Sequence, residues 1–389
     1  MPGFDGVAVL GAGGTIGPAI VRDLAESEEI EQLLLLDRDV GRAEAVAVAS
    51  ARGGSKATAV VVDAADSRAL AAALRAAGVA VVVNAASYQF NLPAMEGALS
   101  AGCHYVDLGG LYHTTLEQLG LDSRFRAAGL TAVLGMGASP GKTNLLAALA
   151  ASRFDQVEAL HVSAAATDPT PPGHSGLAAP YAIATILDEL TLDAVVLRSG
   201  SLESVPALSD GGEILFPDPI GTRRSVFTLH SELATFGSSF PGLREASFRL
   251  SLAPALADRV EFLARCGLAD LAPVAVGGVA VVPRDVLLAC LSRSGSTVPP
   301  SNQTTAIHMV EAQGAGPDGV VRVAAVTVPH QRWGLGGGVV STAAPAAEAA
   351  RRLLCGDVPT GVLPPEQAFD PEPFLAALTP TGCTVTVSV

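Results

Sequence analysis

The 389-residue sequence is poor in aromatic side chains (4%), contains only two lysines, Lys56 and Lys142, and scatters its five cysteines along the chain. With so few rings, the core has to be built from Ala, Val and Leu. Cys103, Cys266, Cys290, Cys355 and Cys383 form no CxxC pair and have no histidine at ligand spacing. No structural metal is therefore expected, and the cysteines read as small buried hydrophobes. No arginine-rich run or basic helix offsets the formal net charge of −14, which a nucleic-acid backbone would repel. No apolar run is long enough to span a bilayer, and Met1–Gly6 lacks the basic and apolar regions of a signal peptide. The expectation is a reduced cytoplasmic protein with no metal, membrane or nucleic-acid partner.

What remains is apolar. Hydrophobic residues make up 49% and charged residues 16%, enough to bury large sheets, and the length implies two domains. Short apolar runs recur at Val7–Leu10, Leu33–Leu36, Ala59–Val62, Ala80–Val83, His104–Asp107 and Thr131–Leu134. Helical stretches at Ile20–Ala25, Ser67–Ala77 and Pro93–Ala101 alternate with them. That rhythm implies a doubly wound parallel sheet covered on both faces, an α/β Rossmann unit. After Asn144 the rhythm changes to longer alternating stretches such as Ala246–Leu252 and Val320–Val328, which suit a mixed α+β second domain. Asp168–Gly176 and Ser294–Ser301 read as loops, and Ala343–Leu354 as a helix.

Gly11, Gly13, Gly14 and Gly17, with Ala12, Thr15 and Ile16 between them, join the first strand to the first helix. Glycine there permits a tight turn, backbone approach to a pyrophosphate and close helix–strand packing, while the helix N-terminus faces the phosphates. Position 16 is Ile rather than the third glycine of GxGxxG, so the pattern is GxxGxxG. Asp37, about 20 residues on at the tip of the second strand, suits the adenosine ribose hydroxyls and favours NAD. Arg38 beside it could stack on adenine or tolerate a 2′-phosphate, so NADP is possible. Asp63, Ala64, Asn84, Ala85 and Ala86 end the next strands, where they complete a cofactor edge or simply cap helices.

Neither lysine has a tyrosine one helical turn before it, which excludes the short-chain dehydrogenase chemistry that GxxGxxG first suggests. Cys/His spacing likewise gives no support to a zinc alcohol dehydrogenase. The glycine turn with Asp37 is followed by Val83–Phe90, by Gly102–Gly110 and by Gly137–Asn144. Phe216–Gly221, His230–Phe240, Val282–Leu288 and Pro364–Glu366 follow in turn. In this order the segments resemble the saccharopine dehydrogenase-like family over nearly the whole chain, and within it the lysine 6-dehydrogenase branch.

The resemblance implies hydride chemistry at a carbon bearing nitrogen: oxidative deamination of the lysine ε-amine to a cyclic imine. The alternatives are a saccharopine- or carboxynorspermidine-type reductase forming a secondary amine, or a non-catalytic cofactor sensor. It implies a homodimer acting on a small amino-acid or amine substrate. It also implies a Rossmann domain (1–140), a substrate and dimerisation domain (141–340) and a segment returning to the first domain (341–389).

Tyr88, Asp107 and His113 follow strand ends on the cofactor edge. Asp107 reads equally as base or turn residue. Gln89, Phe90, Gly110, Pro140, Gly141, Thr143 and Asn144 lie where substrate would sit, the last four opening a helix whose N–H groups suit a carboxylate. Lys142 reads as solvated or as a carboxylate contact. Arg223, Arg224, His230 and Glu232 crowd one stretch, the arginines suited to a carboxylate and His230 or Glu232 to proton transfer.

Overall fold

The computed structural model describes residues 6–50, 56–169, 177–178, 183–252, 254–294, 297–298, 301–316, 319–356 and 358–389. Residues 170–176, which make up most of the proline- and glycine-rich loop expected from Asp168, lie outside them, as do four positions of the Ser294–Ser301 loop. The first half alternates strand and helix: β1 (Gly6–Leu10), α1 (Gly17–Ala25), β2 (Gln32–Asp37), α2 (Val40–Ser50), β3 (Lys56–Val61), α3 (Ser67–Ala77) and β4 (Val81–Asn84). It continues with α4 (Asn91–Ala101), β5 (His104–Asp107), α5 (Tyr112–Leu119), α6 (Asp122–Ala128), β6 (Thr131–Val133) and α7 (Lys142–Ala151). Local chemistry sets these boundaries. The Asp66 side chain accepts from the N–H groups of Arg68 and Ala69 to start α3, and Gly78, at φ 67°, ends it.

The second half contains β7 (Gln156–Thr167), β8 (Leu177–Ala178), α8 (Ile183–Thr191), β9 (Ala194–Arg198), β10 (Ser201–Val205), β11 (Asp210–Phe216), β12 (Gly221–Phe227), α9 (Glu232–Ser239) and β13 (Glu245–Ser251). Then come α10 (Pro254–Arg265), β14 (Val274–Val276), β15 (Val279–Val281), α11 (Pro283–Ser294), β16 (Thr297–Val298), β17 (Thr305–Ala315) and β18 (Val320–Thr327). The chain closes with α12 (Gly337–Cys355), β19 (Gly361–Leu363), α13 (Pro365–Ala368), α14 (Pro371–Ala377) and β20 (Cys383–Ser388).

Two sheets organise these elements. The first is parallel, in the order β19-β6-β5-β4-β1-β2-β3, and apart from the edge strand β3 its apolar strands are buried from both faces, as such sheets require. The strand order reverses at β1, so the crevice outside the strand C-termini next to β1 and β4 is where a ligand belongs. The second is mixed, its central path β10-β9-β13-β7-β17-β18-β20 with the β11–β12 hairpin attached to β13. One continuous core joins them, reaching from Val9 and Val83 through Leu145 and Leu146 to Val162 and Val310. α8, α10 and α11 enclose a smaller core of Ile186, Leu187, Leu190, Val260 and Leu287.

The C-terminal segment divides its allegiance. α12 packs on α1, β4 and β5 and also on β17 and β18, and β19 extends the first sheet. β20 pairs with β18 in the second sheet, so the segment after residue 341 does not return wholly to the first domain. Cys103 and Cys383 are buried, but Cys266, Cys290 and Cys355 are exposed, against the expectation that all five are core residues. Among the described residues no helix is long and apolar enough to cross a membrane.

Candidate active site

The glycine turn is fixed by backbone crowding. Gly11 has φ 78°, and a Cβ there would stand 2.7 Å from the Ala86 nitrogen. A Cβ on Gly17 would stand 2.8 Å from the Ala12 Cα and collide with the Gly11 carbonyl. The first glycine thus lets the loop after β4 close on the turn, and the second lets α1 pack on it. Gly14 N–H donates to the Gly11 carbonyl at 3.0 Å. Ile16 is buried at the N-cap of α1, whereas Gly14 and Thr15 are exposed. This is a cradle that side chains would fill, open toward the helix N-terminus, and it fits a dinucleotide pyrophosphate.

Asp37 ends β2 beside it. One carboxylate oxygen accepts from Gly13 N–H at 2.9 Å and the other from Asp39 N–H at 3.0 Å. Arg38 is exposed. Asp63 is exposed and folds back on Ala65 N–H, with Ala64 half-buried beside it. Asn84 is buried, donating to Asn91 Oδ1 and Tyr105 Oη and accepting from Ala86 N–H. It shapes the Ala85–Ala86 loop, and its amide is already spent within the protein.

Asp107 differs from a base that reaches substrate. It has no exposed surface, and its oxygens accept from Gly109 N–H (2.9 Å), Gly135 N–H (2.7 Å) and Gln118 Nε2 (2.6 Å). Burial raises its pKa against the pull of those donors. Of its two readings the turn role fits: it clamps the strand ends of β5 and β6. The loop that follows packs tightly, since a Cβ on Gly109 or Gly135 would meet the Pro140 ring at 2.6 and 2.8 Å. Gly110 is buried above it, and His113 is exposed on α5.

That loop delivers Ser139 and Thr143 to the second sheet. Ser139 Oγ and Thr143 Oγ1 donate to Glu232 Oε1 at 2.7 and 2.8 Å, and His230 Nδ1 lies 2.5 Å from Glu232 Oε2. The His230 ring stacks on Phe248 of β13, with centroids 3.7 Å apart. Burial pulls the His230 pKa down, but the Glu232 charge and hydrogen bond outweigh it, with Glu189 adding, so it is raised. Burial pushes the Glu232 pKa up, yet His230, Ser139 and Thr143 hold it below the usual carboxylate range. The pair is a buried histidine and carboxylate whose contacts favour the charged form of each, with one ring nitrogen, Nε2, left to act.

Next to it, Asn144 Oδ1 caps Gly141 N–H and its Nδ2 donates to Glu366 Oε2 at 2.8 Å. Glu366 also accepts from Thr235 and Ser239, tying α13 to α9 and α7. Tyr88 Oη donates to Asp188 Oδ2 at 2.8 Å, and Asp188 is ion-paired with Arg284. Burial, and then Asp188, raise the Tyr88 pKa. The hydroxyl thus bridges the loop after β4 to α8. Gln89 is exposed and Phe90 half-buried alongside.

Two expectations are corrected. Arg223 and Arg224 do not join His230 and Glu232: both are exposed on β12, and Arg224 pairs with Asp210 across the hairpin. Neighbouring positions in the sequence are separated because the strand ends before His230. Lys142 is not solvated, being 1% exposed and bonded to Thr327 and Ser341. Ser139, Asp188, Arg284 and Glu366 belong to the network without having been singled out as site residues. Ser139 and Glu366 lie inside segments that carry the family resemblance. Asp188 has no sequence signal. A surface depression lined by Glu28, Glu29, Glu348, Arg351 and Arg352 lies where the parallel strands begin, and shares no residue with this site.

The fold and the glycine cradle define a dinucleotide-dependent α/β oxidoreductase. Residues 7–133 match the family described as saccharopine dehydrogenase NADP binding domain. A carboxyaminopropylagmatine dehydrogenase from Synechocystis sp. is 26% identical over 298 residues, covering 75% of this chain and 73% of that one. A carboxynorspermidine synthase from Vibrio alginolyticus is 25% identical over 403 residues, covering 96% and 94%. Among solved structures, apo saccharopine dehydrogenase (L-Glu forming) from Saccharomyces cerevisiae superposes with TM-score 0.71 at 17% identity, covering 99% of this chain and 100% of that one. Homospermidine synthase from Legionella pneumophila, in complex with NAD, superposes with TM-score 0.68 at 11% identity, covering 98% and 90%. The chain is thus similar to saccharopine dehydrogenase-like proteins, with the family match lying over residues 7–133, and is an NAD(P)-dependent oxidoreductase.

Proposed function

We propose that the protein interconverts a secondary amine carrying a carboxylate with an amine and a carbonyl compound, by way of the imine. In the reductive sense, amine and carbonyl lose water to give an imine. Its carbon then takes a hydride and its nitrogen a proton. NAD(P)H, when bound, supplies that hydride. The observation that carries the reading is the His230–Glu232 pair, held by Ser139 and Thr143 at the C-terminal edge of the parallel strands. His230 Nε2 moves the proton to and from the nitrogen, and Glu232 fixes the ring and its charge. Asp107 and Asn84 are positioning residues, while Tyr88, Gln89, Phe90 and His113 line the mouth. Gly11, Gly13, Gly14, Thr15, Ile16 and Gly17 hold the pyrophosphate and Asp37 the ribose. The two curated relatives are named for carboxylated amines, which favours secondary-amine formation over deamination of lysine alone. A cytoplasmic homodimer remains part of this reading.

The test is a cofactor assay on the full-length protein. NADH or NADPH is offered with agmatine, a diamine or lysine, each with a carbonyl acid, and NAD+ is offered with lysine alone. Cofactor oxidation that needs both amine and carbonyl is expected. Turnover of lysine with NAD+ alone would return the reading to a deaminating dehydrogenase. Tight cofactor binding with no turnover in any mixture would sink both and leave a sensor.

A further inference from the structure

Lys142 is a buried amine without an anion. Its Nζ donates to Thr327 Oγ1 at 3.0 Å and to Ser341 Oγ at 2.5 Å, and among the described residues no carboxylate bonds to it. His308 stands near on β17, 7% exposed, and its Nδ1 has no hydrogen-bond partner. A buried cation is ordinarily paired, and a buried polar nitrogen ordinarily bonded, because each loses its water on folding. Two such deficits lie together here, in a chain whose net charge is −14.

Their place in the fold relates them to the proposed reaction. Lys142 precedes Thr143, which bonds Glu232, and His308 feels the charges of both Lys142 and His230. Thr327, Ala306 and Ala166 form one cross-strand row over β18, β17 and β7. Leu160, Val162 and Ala164, on the same face of β7 as Ala166, are buried, whereas Ala166 is exposed. The face beneath α7 therefore opens to solvent two strands from Thr327, about 10 Å away by ordinary strand spacing. A ligand lying over Ala166 with its nitrogen at His230 has this corner within reach of its other end.

We propose that Lys142 and His308, with the Thr327 and Ser341 hydroxyls, receive the carboxylate of the substrate. One amine, one imidazole N–H and two hydroxyls match the two oxygens of a monoanion, and a phosphate dianion would need further cations. The assignment rests on the reading that carbon–nitrogen chemistry takes place beside His230, and it adds where the carboxylate goes. The flexible stem of Lys142 carries Nζ from its hydroxyl partners to the incoming anion. Burial holds the Lys142 ammonium below the usual lysine range, with Cys383 of β20 acting in the opposite sense. His308 of β17 is held neutral by burial and by Lys142 and His230. A carboxylate arriving at this corner therefore brings a proton with it.

Calorimetric titration of the full-length protein saturated with NADH tests this without turnover. The probes are L-lysine and β-alanine, against cadaverine and ethylamine, which are the same molecules without their carboxylates. The wild type is expected to bind a carboxylated probe roughly tenfold or more tightly than its counterpart, with proton uptake seen as heats that depend on the buffer. Lys142→Met abolishes both the preference and the uptake while NADH still binds, and His308→Asn weakens the preference severalfold. If Lys142→Met does not fold, His308→Asn carries the test. No preference in the wild type, or a preference retained in the variant that folds, overturns the assignment. Turnover is read separately in the amine and carbonyl assay, so the reaction can stand while this corner fails.

Discussion

At the glycine turn, Gly11 and Gly17 touch backbone where any side chain would collide, and Asp37 braces the turn through Gly13 N–H. Across the crevice, the contacts that hold His230 and Glu232 are made by side chains. There Ser139 and Thr143 converge on one oxygen of Glu232, whose other oxygen holds the His230 imidazole. The first region is made by what the backbone cannot tolerate, and the second by side chains whose charges cancel. A backbone cradle needs only a short stretch of chain and serves any dinucleotide enzyme. A buried histidine–carboxylate pair needs partners distant in sequence, here Ser139 and Thr143.

The contrast can be broken from either side. Glu232→Gln keeps the shape but removes the counter-charge. Turnover should fall about 10²–10⁴-fold with cofactor affinity unchanged, measured by steady-state kinetics and NADH titration. The same variant sharpens the pH argument. Glu232, with its pKa depressed from 4.5, stabilises the fold above that ordinary value, and the contribution is lost as pH falls through its folded pKa. His230, with its pKa raised from 6.5, stabilises below that value, and its contribution is lost as pH rises through its folded pKa. Both are fully present between 4.5 and 6.5, and Glu232→Gln should flatten both limbs in urea melts taken across pH.

Gly17→Ala attacks the other region. Forcing a methyl against Ala12 and Gly11 should cost about 1–3 kcal/mol of stability and abolish cofactor-induced thermal stabilisation. Asp37→Ala should raise the KM for NAD about tenfold, the loss of charge-assisted bonds to a ribose, and narrow any preference over NADP. Tyr88→Phe removes one hydroxyl bond while Asp188 keeps Arg284, so a stability loss of about 0.5–1.5 kcal/mol is expected. Arg224→Ala, on the exposed hairpin, should change stability by less than about 0.5 kcal/mol and leave every KM alone.

The same contrast explains how much could be read from the chain. The strand His104–Asp107 and the helix Ser67–Ala77 were legible because apolar runs, an Asp cap and a terminal glycine are local signals. So was the closeness of His230 to Glu232, two residues apart. Ser139 and Glu232 are 93 positions apart, Tyr88 and Asp188 100, and Asn144 and Glu366 222, and no periodicity links such pairs. Lys142 misled for the opposite reason. In Gly141–Asn144 a lysine opening a polar helical turn reads as exposed, yet α7 lies between the second sheet and the C-terminal helices and buries it. Arg223 and Arg224 misled because closeness in sequence is not closeness in space once a strand intervenes.

The account stands on hydride transfer between the two regions, and deuterium tracing observes that directly. Wild-type protein with C4-deuterated NAD(P)H, an amine and a carbonyl acid should yield a secondary amine carrying deuterium on the carbon joined to nitrogen. Glu232→Gln, still binding the cofactor, should yield almost none. Cofactor binding without deuterium in any amine product, or equal labelling in the variant, would contradict it.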